Sequence, residues 1–124
     1  MPTFKINHLA VISLPTQDVA LTTHFYQEVI GLTRLAQHGH QPAFDLGNGL
    51  YLVIVEGQAE ARLTAQDRDF PALAFAVDDL DQAVEQLGLH NVEMPWGIQK
   101  NPQNRWVKFH DPGGNLIELA QFGT

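Results

Sequence analysis

The chain has 124 residues and 44% hydrophobic content, enough for one compact domain with a real core, and 7 basic against 14 acidic residues give a formal charge of −7. That balance repels nucleic acid and anionic membrane surfaces and favours a small-molecule or protein partner. There is no cysteine, which excludes a disulfide framework and thiolate chemistry.

The opening Met1-Pro2-Thr3-Phe4-Lys5-Ile6 lacks the basic start and long apolar run of a signal peptide. No stretch approaches the roughly 18 continuous apolar residues of a membrane span, so a cytoplasmic protein without membrane contact is expected. Residues 4–14 are predicted to form a strand in which Phe4, Ile6, His8, Ala10 and Ile12 share one face while Leu9 and Val11 share the other. Thr16 or Asp18 can cap the helix that follows. There Val19, Thr22, Tyr26, Val29 and Ile30 recur at helical spacing, and Gly31 supplies a left-handed stop.

Short strands are predicted at 32–37, 42–46 and 50–55, with Gly47-Asn48-Gly49 joining the last pair. The polar stretch 57–70 has little periodicity and reads as a linker. Residues 72–77 then open a second series: a strand, a helix capped by Asp78 with Leu80, Ala83, Val84 and Leu87 as its apolar stripe and Gly88 as its end, and strands at 91–94, 105–110 and 115–121. Asp111-Pro112-Gly113-Gly114-Asn115, rich in turn-formers, joins the last two.

The two series repeat. His8-Leu9-Ala10-Val11 falls on Ala72-Leu73-Ala74-Phe75, and Gly49-Leu50-Tyr51-Leu52-Val53 on Asn115-Leu116-Ile117-Glu118-Leu119. The copies match in apolar pattern but not in polar content, since Ala72 stands opposite His8 and Leu52 opposite Glu118. A repeat of this period points to a pseudosymmetric fold. We expect one α+β domain over 1–124, built as two βαβββ modules at 4–56 and 71–122 around the linker 57–70. Each helix must bury its stripe against one face of its own strands. The faces bearing Leu9, Val11, Leu73, Phe75 and Val77 are expected under the helices. Those bearing His8 and Glu118 are expected to line the concave side of a curved mixed sheet, where a ligand cavity would form.

His8-Leu9-Ala10-Val11, the run from Phe25-Tyr26 to Gly31-Leu32, Pro95-Trp96-Gly97 and the closing Phe109-His110-Asp111-Pro112-Gly113-Gly114-Asn115-Leu116-Ile117-Glu118-Leu119 come in this order over nearly the whole chain. Together they resemble the vicinal oxygen chelate superfamily of glyoxalases, bleomycin-resistance proteins, fosfomycin-resistance proteins and extradiol dioxygenases. The resemblance implies two paired strand-helix-three-strand modules, with one inward side chain from each of four strands making the site. Those four places fall on His8, Leu52, Ala72 and Glu118. Only His8 and Glu118 can ligate a metal or act as an acid–base pair, whereas Leu52 and Ala72 cannot. The implied cofactor is therefore none, or a weakly held divalent metal (Mn, Fe, Ni or Zn) whose remaining ligands are water, substrate or another histidine.

His38 and His40 share one face if their segment is extended, yet they read more simply as an exposed polar loop, and His110 as a strand-end residue beside a turn. Ala72, Ala74 and Ala76 remove bulk from one strand face while Leu50, Leu52 and Ile54 line the matching strand. Such small residues permit close packing or a roomier apolar pocket, which Trp96 and Trp106 could wall. Lys100, Arg105 and Lys108 are the one basic concentration. They form a solvated face or a steering patch for an anionic group.

The single serine, Ser13, and the absence of phosphate-loop, dinucleotide and His-Glu-x-x-His motifs exclude nucleophilic hydrolysis, nucleotide-driven transfer and zincin chemistry. Two functions remain open. One is an enzyme, a lyase, isomerase or dioxygenase acting on a small apolar or aromatic molecule. The other is a non-catalytic, ligand-sequestering protein of the bleomycin-resistance kind. A homodimer is expected for either.

Overall fold

The computed structural model describes residues 3–58 and 70–123. Residues 59–69 of the expected linker lie outside the described residues. Two compact units result, divided between Gly57 and Gln58. Each contains a four-stranded mixed sheet with one helical crossover.

In the first unit β1 (Val11–Thr16) leads into α1 (Val19–His24), which continues as a π-helical segment (Phe25–Ile30), followed by β2 (Thr33–His38), β3 (Gln41–Asp45) and β4 (Tyr51–Glu56). The sheet order is β1-β4-β3-β2, with β1 parallel to β4 and the rest antiparallel. Asp18 caps α1 by accepting from the Leu21 amide at 3.0 Å. Gly31, at φ 84°, ends the helical stretch by donating to the Tyr26 carbonyl.

The first strand starts seven residues later than the apolar pattern suggests. Among the described residues, 5–10 have no strand partner, and the ladder extends only as far as the Tyr51 amide donating to Ala10 O. The cause lies in β4. Before Tyr51 the chain turns through Gly47, Asn48 and Gly49, at φ 89°, 54° and 80°, and offers no extended backbone to pair.

The expected faces of this strand are also reversed. The Thr16 and Thr22 hydroxyls share a hydrogen bond of 2.8 Å, which turns Thr16, and by alternation Leu14 and Ile12, toward α1. Val11 consequently points to the other side. Leu52 pairs with Ile12 on one flank and Phe44 on the other, and the Phe44 ring lies 6.2 Å from that of Tyr26 in the π-helical segment. Phe44, Leu52, Ile54 and Tyr26 are fully buried and form this unit's core.

In the second unit β5 (Leu73–Ala76), α2 (Leu80–Leu89), β6 (Gln99–Lys100), β7 (Asn104–His110) and β8 (Leu116–Phe122) give the order β5-β8-β7-β6. β5 is parallel to β8, and the remaining pairs are antiparallel. The α2 cap is Asp79, accepting from the Gln82 amide at 3.1 Å, rather than Asp78. Gly88 lies inside the helix, and the left-handed residue beyond it is Asn91 at φ 60°. The expected strand at 91–94 does not form, and the two-residue β6 takes its place at the sheet edge.

Two ties hold α2 on its sheet. The Leu80 amide donates to Gln121 Oε1 at 2.9 Å, and the Arg105 guanidinium forks onto the Asp81 carboxylate at 2.7 and 3.2 Å. They identify the covered face: Ile117, Leu119 and Gln121 of β8, Val107 and Phe109 of β7, and Leu73 and Phe75 of β5 lie under the helix. Among the described residues no helix is long and apolar enough to cross a membrane.

Candidate functional site

In each sheet one face is turned away from the helix. In the second unit the strand registers assemble one such face residue by residue. Glu118 lies between Ala74 on β5 and Lys108 on β7, Ala120 between Ala76 and Trp106, and Leu116 opposite His110. The Trp106 indole N–H donates to Gln99 Oε1 at 3.1 Å across the β6–β7 pair. Beyond β6's approach, the Trp96 ring lies 6.4 Å from the His110 imidazole at an interplanar angle of 46°.

The result is a half-buried carboxylate beside an ammonium, with alanines at Ala74 and Ala76 leaving room above the sheet and two indoles to one side. Trp96 is 44% exposed and Trp106 half-buried. Large aromatic surface next to a small number of polar groups is the composition of a small-molecule site.

Of the residues singled out in the sequence, Glu118, Ala74, Trp106 and Ala72 therefore fall in or beside one strand face, Ala72 just before β5 with its amide donating to the Leu116 carbonyl. Trp96 joins them through His110. Leu52, expected to line a pocket, is fully buried on the strand face that packs toward the first unit's helix. His8 lies before β1 in the first unit, exposed, with its imidazole against the Gly49 backbone; a Cβ added at Gly49 would stand 3.1 Å from His8 Nε2.

The strand registers also redraw the repeat. Laying the N-cap Asp18 on Asp79 puts Val11, not His8, on Ala72. The pairs Ile12–Leu52 and Leu73–Ile117 put Leu52 on Ile117, so that Val53 is the counterpart of Glu118 and Ala43 that of Lys108. Three of the four equivalent strand places thus hold Val11, Val53 and Ala72. Side chains without donor atoms cannot ligate a metal, and among the described residues no three His, Asp or Glu side chains gather into a metal-binding group. Within the second unit, Ala72 and Glu118 offer one donor between them and do not by themselves fit a resident divalent ion.

The basic residues are divided. Arg105 faces α2 with Asp81, whose hydrogen bond raises the guanidinium pKa, while the same bond and charge lower that of the Asp81 carboxyl. Lys108 lies on the opposite face, beside Glu118. Gln99 was not singled out in the sequence, because the irregular stretch before it hid a two-residue strand, whereas His110 ends β7 beside a turn as its position suggested.

The sequence model of the Glyoxalase/Bleomycin resistance protein/Dioxygenase superfamily matches residues 5–119. The Escherichia coli K12 protein YaeR is 31% identical, over 94% of this chain and 95% of its own length. Among solved structures, the fosfomycin resistance protein FosX of Listeria monocytogenes is 27% identical and superposes with a TM-score of 0.76 over 97% of this chain and 96% of that one. TnmS3, an antibiotic binding protein from Streptomyces sp. CB03234, is 26% identical with a TM-score of 0.74 over 97% and 99%.

Proposed function

Because the chain belongs to the glyoxalase/bleomycin resistance protein/dioxygenase superfamily, we propose that it binds a small apolar or aromatic organic molecule on the face of the second sheet away from α2. The observation that carries this reading is the grouping of Trp106, Ala74, Ala76, Lys108 and Glu118 on one strand face. The alanines leave space, the indole offers a flat apolar wall, and the Glu118–Lys108 pair can meet a polar group of either sign. The donor-free places at Val11, Val53 and Ala72 favour sequestration without a resident metal over metal-assisted turnover. The names of FosX and TnmS3 suggest an antibiotic-like molecule as the ligand.

A lyase, isomerase or dioxygenase is the second reading, and it rests on Glu118 as a half-buried carboxylate able to exchange a proton. The deciding experiment is calorimetric titration of chelator-treated protein with anilinonaphthalene sulfonate as a planar aromatic probe. Saturable binding that survives His8→Ala and weakens about 30-fold on Trp106→Ala is expected, the loss typical of a central aromatic anchor. Stoichiometric Mn, Fe, Ni or Zn that is lost on His8→Ala and Glu118→Ala, with probe binding only in its presence, would overturn it in favour of the enzyme.

The protein is further proposed to be a cytoplasmic homodimer, a reading supported by the exposure of Phe4, Ile6 and Leu9 at 71%, 74% and 64% in the single chain. Sedimentation should give twice the 13.8 kDa chain mass, and a concentration-independent monomer would contradict it.

A further inference from the structure

Trp106 is the largest side chain on the proposed binding face, and its orientation is not set by the sheet alone. An indole on a strand can turn about two side-chain torsions, and a wall that turns must be ordered when a ligand arrives, at a cost in affinity. Among the described residues, one side chain hydrogen-bonds the indole and restrains it. Gln99 lies directly across from Trp106 in the β6–β7 register and accepts its indole N–H at 3.1 Å.

That N–H is the indole's sole hydrogen-bond donor, so this bond consumes all of its polar capacity and fixes which edge of the ring faces β6. On its other flank Trp106 is paired with Ala120, which is buried and has no side chain long enough to compete for the position. β6 has two residues, and it ends where Asn101 Oδ1 accepts from the Gln103 and Asn104 amides at 2.9 and 2.7 Å. This tight turn holds Gln99 in register with the strand that bears Trp106.

We propose that Gln99 is a positioning residue, which holds the Trp106 indole as a preset flat wall and so selects planar aromatic ligands over flexible aliphatic ones. The inference rests on the binding reading above. Its first readout, however, needs no ligand. The chain holds two tryptophans, so Trp96→Phe leaves Trp106 as the sole indole reporter.

In that background Gln99→Leu should lower the fluorescence anisotropy of Trp106 and raise its quenching by acrylamide, while Gln99→Glu, which keeps an acceptor oxygen, should leave both near the parent values. Gln99→Leu should weaken binding of anilinonaphthalene sulfonate about three- to tenfold when Trp106 is present, the loss expected for one hydrogen bond, and not further weaken it in Trp106→Phe, where no donor remains to be held. Unchanged anisotropy and quenching in Gln99→Leu would overturn the proposal, as would an equal loss of affinity in both backgrounds. Failure of the parent protein to bind the probe would instead count against the binding face, with the anisotropy still deciding the role of Gln99.

Discussion

Val53 and Glu118 occupy equivalent places in two sheets of the same topology, and Ala43 and Lys108 lie beside them in the same register. On the helix-covered faces the two units agree: Leu52 and Ile117 are both fully buried, as are Phe44 and Phe109. On the opposite faces they diverge, one carrying an apolar pair and the other a carboxylate beside an ammonium. Selection for packing under a helix preserves size and apolarity in both copies, whereas a binding face needs its polar groups only where the ligand meets them. On the proposed reading, the shared faces supply stability and the second unit's opposite face the ligand chemistry.

The largest expected effect separates a helix-covered residue, Leu52, from one on the opposite face, Glu118. Leu52→Ala empties a fully buried site and should cost about 2–5 kcal/mol in denaturant unfolding. Glu118→Gln should change stability by less than about 1 kcal/mol while weakening the probe. If Leu52→Ala were nearly neutral in stability but abolished probe binding, Leu52 would face the ligand after all. A smaller effect separates the two candidate caps of α2: Asp79→Ala should lose about 1 kcal/mol and Asp78→Ala close to nothing, because only the Asp79 carboxylate accepts from the helix.

The smallest effect is electrostatic. The hydrogen bond and charge of Arg105 lower the folded-state pKa of Asp81, so the tie stabilises the fold above the carboxyl's unfolded pKa and is lost as pH falls through the folded one. Asp81 is exposed, and solvent screens the pair. Thermal melts of Asp81→Asn should therefore lie slightly below those of the parent at neutral pH and converge with them in acid. A gap that persists at the acid end would show that the carboxylate's charge is not what ties Arg105 to α2.

Much of the architecture was legible in residue pattern. Val19, Thr22 and Tyr26 at helical spacing, Gly31 as a stop, and Asp111-Pro112-Gly113-Gly114-Asn115 as the last turn all carry local chemistry. Asp111 Oδ1 accepts from the Gly113 and Asn115 amides, as a turn-forming aspartate should. The face assignments of the first strand were not legible, because an apolar run from Phe4 to Leu14 fits either parity until a partner strand fixes where pairing begins. That ambiguity placed His8 on Ala72 and Leu52 on Glu118, and the registers of Val11 with Tyr51 and Leu73 with Ile117 removed it. Glu118 and Trp106 were legible as strand residues because β7 and β8 are long and joined by an unmistakable turn, whereas Glu118 was singled out through the family resemblance. Gln99 was hidden by a strand too short to show alternation.

On the proposed reading, ligand chemistry belongs to the second unit's face away from α2 and needs no metal. Backbone amide shifts of isotope-labelled, chelator-treated protein during titration with anilinonaphthalene sulfonate test it most directly. The largest changes are expected at Ala74, Ala76, Gln99, Trp106, Lys108 and Glu118, with His8 and Gly49 unmoved. Changes centred on His8, Gly49 and Val53, or none until a divalent metal is added, would contradict it.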